Sequence, residues 1–232
     1  MNVVVTGASR GIGKEVAERF AAEGADLFLC SRRMDDHIHW QQQLIAKHNI
    51  RVISSNTDMG DKDQVRALGE KINEAFGHVD ILINNAGFFE PGNVHDEGEG
   101  VLEKTMAVNV YSAYHLTRSL LPAMMKRKSG HIFNICSIAA LGAYPGGGAY
   151  SISKWAMLGF NNNLRHEMKE HGIKVTAVHP GATMTDSWEG SGVSPKRIME
   201  VSDIAKMILA ASALSPQACV EEIIMRPQLG DL

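Results

Sequence analysis

Short apolar runs alternate with longer amphipathic stretches along this chain, from its first residues to its last. Val3-Val4-Val5, Leu27-Phe28-Leu29-Cys30 and Ile81-Leu82-Ile83 are too short for helices and too uniformly apolar to have a wet face. They read as strands buried on both sides. Strands are expected near 2–6, 26–31, 51–55, 80–84, 131–136, 173–178 and 221–225. Helices are expected between them, near 12–23, 36–48, 61–76, 97–127, 150–171 and 201–213. Strand and helix in alternation predict an α/β fold, a doubly wound parallel sheet with helices on both faces. In such a sheet a ligand lies at the carboxyl ends of the strands, near the point where strand order reverses.

The 232 residues suffice for one domain with a substantial core, and no Pro- or Ser-rich linker divides them. We expect a single domain over 1–232, with a cofactor half to about residue 90 and a catalytic half from about 91. A formal net charge of −3 offers no basic surface for nucleic acid. No apolar run reaches membrane-spanning length, and no signal peptide is visible before the first strand. Cys30, Cys136 and Cys219 are odd in number and lack metal-ligand spacing, which points to buried thiols in a reducing cytoplasm. His37, His39 and His48 lack convergent carboxylates or cysteines, so no metal site is expected.

Chemistry enters through two segments. After the first strand comes Thr6-Gly7-Ala8-Ser9-Arg10-Gly11-Ile12-Gly13, a glycine turn that opens a helix. Glycines there allow a tight turn and let a pyrophosphate approach the unpaired amides of the helix N-terminus. The spacing differs from the common Gly-x-Gly-x-x-Gly fingerprint, so a merely structural turn is the alternative. In the second half, Ser137 precedes Tyr150 and Lys154, whose separation of four puts them on one helix face. An ammonium beside a phenol favours the ionised phenol, so Tyr150 is expected to titrate nearer neutrality than a free tyrosine.

These segments, with Asn84-Asn85-Ala86-Gly87, Asn109 and Pro180-Gly181, resemble the short-chain dehydrogenase/reductase family in order and spacing, from about residue 3 to 185. The resemblance implies a Rossmann-type sheet and an oxidoreductase that moves hydride between a nicotinamide and a carbonyl or alcohol. It assigns Tyr150 as proton donor, Ser137 as partner of the reacting oxygen, and Lys154 as the group that lowers the tyrosine pKa and binds the nicotinamide ribose. Asn109 matches the family asparagine that holds a water linking the lysine to solvent, with a helix kink as the alternative. It places Gly7, Ser9, Arg10, Gly11, Ile12 and Gly13 around the pyrophosphate. Asp58 is matched to the adenine amino group, Asn85, Ala86 and Gly87 to the adenosine side, and Pro180, Gly181 and Thr185 to the carboxamide. Asn84-Asn85-Ala86-Gly87 has strand-tying as an equal alternative.

The second strand ends in Ser31-Arg32-Arg33 with no acid for a ribose 2′-hydroxyl, and Asp35 and Asp36 are expected to open the next helix. Arg32 and Ser31, with Arg10, suit a 2′-phosphate, so NADP(H) is the expected cofactor; plain surface arginines are the alternative. The segment 186–195 reads as a short lid, and Tyr144, Met184 and Trp188 as pocket lining for a small to medium apolar ketone, aldehyde or diketone. A 3-oxoacyl-thioester reductase is kept as a second reading, and a non-catalytic NADP-sensing regulator as a third. His179 is expected to pack more than to touch substrate, Phe88 and Phe89 to border the pocket or pack, and acids 96–99 to begin a helix. Homodimers or homotetramers are expected by resemblance, with Tyr114, Leu121, Phe160 and Leu164 as interface or core.

Overall fold

The computed structural model describes residues 1–188, 190 and 192–232. Among them, β1 (Asn2–Thr6), β2 (Asp26–Ser31), β3 (Val52–Asn56), β4 (Ile81–Asn84), β5 (Gly130–Ile135), β6 (Ile173–Pro180) and β7 (Glu222–Met225) form one sheet. Its order is β3-β2-β1-β4-β5-β6-β7, with every neighbouring pair parallel. The helices are α1 (Gly11–Ala22), α2 (Ile38–His48), α3 (Lys62–Phe76), α4 (Val101–Met106), α5 (Ser112–Arg127), α6 (Gly148–Met168) and α7 (Val201–Ser212). Strand order reverses at the β1–β4 pair, so the carboxyl ends of those two strands open a crevice. This is the Rossmann-type architecture. Among the described residues no helix is long and apolar enough to cross a membrane.

The uniformly apolar strands are explained by two cores. Val3 and Val5 point into one layer with Phe20 of α1, Leu44 of α2 and Ile204 and Ile208 of α7. Val4 points into the other, with Leu68 and Ile72 of α3, Leu116 and Leu120 of α5, and Leu164 of α6. Alternate residues of one strand therefore serve opposite faces, and neither face can be polar. Each such aliphatic side chain contributes roughly 1.5–3 kcal/mol. Leu164 belongs to this core, not to a surface available for assembly. Cys30 and Cys136 are buried as expected, whereas Cys219 is exposed on the chain leading into β7.

The long helix expected over 97–127 is interrupted. α4 begins only at Val101, after Gly100 in a left-handed conformation (φ 85°). Residues Ala107–Tyr111 then form a π turn before α5 continues. Two side chains compete with the regular ladder there: Ser112 Oγ donates to Val108 O at 2.6 Å, and Asn109 bonds outside its own helix. Helix bulges of this type arise where side chains draw on neighbouring backbone. Asp35 and Asp36 do open the next helical turn, a short 3-10 segment (Asp35–His37) ahead of α2.

One polar residue in the sheet has a measurable consequence. His131 of β5 is 5% exposed and stacks on Phe133, with ring centroids 3.9 Å apart. Its Nε2 lies 2.7 Å from Thr176 Oγ1, and that hydroxyl gives its hydrogen to Val220 O at 2.5 Å. The imidazole must therefore donate from Nε2, which leaves Nδ1 buried without a hydrogen-bond partner. Burial, and secondarily the charge of Lys174, pushes its pKa down to about 3. The unfolded chain binds this proton near pH 6.5, so stability is full above that value and falls as pH drops toward 3. The loss is at most ~1.4 kcal/mol per pH unit from this group. Replacing His131 with leucine should flatten the fall in Tm between about pH 6.5 and 5 in thermal denaturation; an unchanged slope would place the acid sensitivity elsewhere.

Candidate active site

The crevice is laced together by one threonine and one amide. Thr6, 1% exposed at the end of β1, accepts hydrogen bonds on Oγ1 from the N–H groups of Asn85 and Ala86, both at 2.9 Å. Its hydroxyl donates to Ile83 O at 3.3 Å. Asn85 Nδ2 returns to Thr6 O at 2.9 Å and Gly7 O at 3.1 Å. A Cβ on Gly7 (φ 63°) would press on Ala86 and Asn85 at 3.0 Å, and one on Gly13 would overlap Asn85 and Gly7 O. These two glycines let α1 and the 85–87 loop pack backbone to backbone. The sequence pattern attributes all of them to phosphate approach, and only Gly11 opens onto the crevice, with Thr185 Cγ2 3.4 Å from where its Cβ would stand.

Arg10 occupies the N-cap position of α1 without capping it. Its guanidinium reaches instead to Asp186, 2.7 Å away across the crevice mouth. The first-turn amides of α1 thus receive no side-chain acceptor from the cap, as an anion site requires. Ser9 and Ile12 lie in the same turn and first helical residues. Ser31 ends β2 nearly buried, and Arg32 beside it is exposed, while Arg33 pairs with Asp36 at 3.5 Å. Asp58 is exposed beyond β3 and its carboxylate accepts from Gly60 N at 2.9 Å. Gly181 N donates to Met225 O at 2.8 Å, fixing the turn after Pro180. Thr183 spends its hydroxyl on Gly181 O at 2.9 Å, which leaves Thr185 as the threonine facing the glycine turn. Of the expected lid, Glu189 and Ser191 lie outside the described residues.

Ser137, Tyr150 and Lys154 meet at the carboxyl end of β5. Ser137 heads a short 3-10 turn (Ile138–Ala140), and its Oγ accepts from Ala139 N at 3.1 Å. Tyr150 stands in the first turn of α6, half-buried, with Ser137 near enough to its hydroxyl to influence its titration. Lys154, 4% exposed, donates to Ile135 O at 2.8 Å, and its Nζ is 5.5 Å from the tyrosine ring centroid. Gly87 lies against this lysine, where a Cβ would come within 4.0 Å of Nζ.

The titration of this pair differs from the sequence expectation. Burial raises the Tyr150 pKa above 10.0, and Ser137 offsets only part of that. Burial also lowers Lys154 to about 8. Helical spacing brings the two together, but the protein around them disfavours both charged forms, and the ammonium sits over the ring instead of on the phenol oxygen. In the protein alone burial favours the neutral phenol, and the acidified tyrosine expected from the spacing is not found.

Asn109 is 2% exposed and acts as a clamp. Its Oδ1 accepts from Phe88 N at 2.7 Å, and its Nδ2 donates to Phe88 O at 3.0 Å and Ser153 Oγ at 2.8 Å. Both amide hydrogens are used by the protein, so a water held at this residue would have to donate to one of its two carbonyl oxygens. Phe89 turns edge-on to Tyr150, with centroids 4.9 Å apart, and Phe88 lies under Lys104. His179 is wholly buried, its Nδ1 donating to Ser137 O at 3.0 Å, so it supports the serine from behind. At the head of α6 is a cavity of about 280 Å³ lined by Val94, Ala143, Tyr144, Ser151 and Ile152; Ser137, Tyr150 and Lys154 are not part of its wall.

Two residues escaped the sequence reading. Ser153 joins α6 to Asn109, accepting from its amide while donating to Tyr150 O at 2.7 Å. Glu97 does not start α4; its carboxylate accepts from Ala149 N at 2.7 Å, at the head of α6. The glycines Gly92 and Gly146-Gly147-Gly148 were the available signal, since two glycine-rich segments suit close approach of two backbones.

A phenol, a hydroxyl and a lysine thus stand together beside a crevice that ends in a glycine turn without a side-chain cap. The family model for short chain dehydrogenases matches residues 1–193, and the chain belongs to that family. It is 40% identical over 189 residues to dehydrogenase/reductase SDR family member 7B of Mus musculus, covering 79% of this chain and 58% of that protein. This chain thus spans somewhat under three-fifths of that relative's length. Sepiapterin reductase of Chlorobaculum tepidum is 32% identical over 238 residues, covering 99% of this chain and 97% of the relative. A metagenomic short-chain oxidoreductase solved in complex with NADP superposes with a TM-score of 0.85 at 30% identity, over 98% of this chain and 97% of its own.

The Asn109 clamp makes a stability prediction. Asn109→Ala leaves the part-buried Phe88 amide and carbonyl and the buried Ser153 hydroxyl without this partner and should cost roughly 1–3 kcal/mol. A lowered urea midpoint with unchanged m-value is the expected reading; an unaltered midpoint would show that the π turn stands without the clamp.

Proposed function

We propose that this protein reduces a carbonyl, or oxidises the corresponding alcohol, with NADP(H) as the nucleotide. The observation that carries the reading is the buried Ser137–Tyr150–Lys154 cluster with a protonated phenol facing the crevice. The protein fits the nucleotide at several points. The first turn of α1 is free of a side-chain cap, Gly11 opens toward Thr185, and Gly87 leaves space beside Lys154. Exposed Arg32 and nearly buried Ser31 stand where a 2′-phosphate would be bound, and Asp58 where the adenine would lie. Arg10 is the second cation, provided it leaves Asp186. The NADP in the metagenomic relative supports this choice.

When bound, the nicotinamide supplies hydride to, or takes it from, the carbon of the reacting group. Everything else is assigned to the chain. Ser137 Oγ donates to the substrate oxygen and orients it, and Tyr150 gives that oxygen its proton. Lys154, anchored on Ile135 O, is the residue that would meet the nicotinamide ribose. It also supplies positive charge as the phenolate forms. Asn109 keeps Phe88 and Ser153 in place, and its carbonyl is the point where a water would refill the proton.

We favour a small to medium apolar or aromatic ketone, aldehyde or diketone, because Phe89 abuts the phenol and Val94, Tyr144 and Ile152 line a cavity at the head of the same helix. Tyr111, Tyr114 and Trp155 are exposed apolar residues of the π turn, α5 and α6, and they are the surface we assign to a homodimer or homotetramer. The working compartment in this reading is the cytoplasm, where the three unpaired thiols stay reduced.

Two substitutions test the reading. Tyr150→Phe should leave the NADPH dissociation constant near wild type while lowering carbonyl reduction at least ~100-fold over a panel of ketones and aldehydes. Turnover near wild type would require another proton donor. Arg32→Asp should shift the NADP/NAD ratio of kcat/KM toward NAD(H) by roughly tenfold or more, and a ratio that does not move would remove Arg32 from the cofactor site.

A further inference from the structure

The loop between β4 and α4 is fastened to the head of α6 at several points. Glu97 Oε1 accepts from Ala149 N, the residue beside Tyr150, at 2.7 Å. Space for this carboxylate comes from missing side chains. A Cβ on Gly148 would overlap the carboxylate, and one on Gly92 would meet Glu97 Cγ at 2.5 Å. Gly92 and Gly147 form a parallel bridge, with Gly92 N donating to Gly146 O at 3.2 Å. Asn93 Oδ1 accepts from Gly146 N at 3.1 Å. These contacts all join residues 92–97 to residues 146–149, the turn that delivers Tyr150.

We propose that Glu97 is a positioning residue: it fixes the first turn of α6, and through it the Tyr150 hydroxyl against Ser137. The physical reason is local. The first amides of a helix have no partner within it, and Ala149 N is one of them. A carboxylate satisfies that amide with a charge-assisted bond at the positive end of a 21-residue helix. Tyr150 follows Ala149 directly, so a shift of this turn carries the phenol with it. Val94 lies in the same fastened loop and lines a cavity with Gly148, Ser151 and Ile152, so the clamp also sets that wall against the helix that carries Tyr150. The kinetic consequence rests on the carbonyl-reduction reading; the structural clamp does not.

The experiment compares Glu97→Ala, Glu97→Gln and Glu97→Asp in the full chain. Alanine removes the acceptor. Glutamine keeps an acceptor of the same reach, and aspartate keeps the charge but is one methylene too short. A misplaced reacting group can cost on the order of 100-fold, so kcat for a carbonyl substrate should fall about 10- to 100-fold in the alanine and aspartate variants. The NADPH dissociation constant, read by fluorescence, should stay at the wild-type value, and glutamine should recover most of kcat. Amide hydrogen exchange should quicken in 92–97 and 147–151 of the alanine and aspartate variants and remain unchanged in the sheet. Wild-type kcat in Glu97→Asp, or a glutamine variant as impaired as alanine, would overturn the proposal. So would NADPH binding that weakens in step with kcat, or faster exchange throughout the chain. If the unsubstituted protein turns over no carbonyl, the functional reading fails, and the exchange pattern still decides whether Glu97 holds the head of α6.

Discussion

A single buried amide holds together three pieces of chain that share no strand pairing. Asn109 binds both backbone groups of Phe88 and the hydroxyl of Ser153, and so joins the loop after β4, the π turn and the catalytic helix. The loop carries Gly87, which borders Lys154, and Phe89, which meets Tyr150. The helix carries Tyr150 and Lys154 themselves. Were this amide lost, the 92–97 contacts would still hold the head of α6, but Phe88 would no longer be fixed against the π turn and Ser153. A residue that looks like a poor helix former within an amphipathic run is thus the point on which the site's geometry converges.

Much of the architecture is readable from periodicity because burial on both faces leaves a strong mark. Val3, Val4 and Val5 must all be apolar when alternate residues enter different cores, and no helix of three residues could explain them. Strand and helix positions follow from such runs to within a residue or two. The break in the 97–127 helix is not readable this way, since Ala107-Val108-Asn109-Val110 continues an apolar helical pattern. Its cause is a contact with residue 88, distant in sequence. The acids at 96–99 mislead for a related reason: a carboxylate suits any helix N-terminus, and Glu97 serves α6 instead of the helix that follows it. Glycines show the same limit. The spacing at 7, 11 and 13 is legible as a turn, but which glycine faces a ligand and which faces protein depends on where Asn85 lies.

Electrostatics are less legible still. The four-residue spacing of Tyr150 and Lys154 identifies neighbours, and an exposed pair would favour phenolate and ammonium. Burial reverses both tendencies, raising the phenol and lowering the amine to about 8. Ser137, held from behind by His179, is the one neighbouring group that counters the burial of the phenol. The neutral phenol is nonetheless favoured in the protein alone. His131 shows the same effect without function, a neutral ring kept in the sheet by the expense of charging it there.

Glu97 and Gly148 occupy one volume between them. The carboxylate fills the place where a side chain at 148 would begin, and Gly148 adds a positive φ of 23°. Neither position can therefore vary freely while the other is kept. A side chain at 148 is excluded twice, by the Glu97 carboxylate and by the Gly92 carbonyl oxygen at 2.6 Å, and a shortened residue at 97 leaves a void. For anyone reshaping the cavity at the head of α6, residues 92, 97 and 148 form a single unit of variation. Libraries that randomise one of them alone will sample mostly broken geometries.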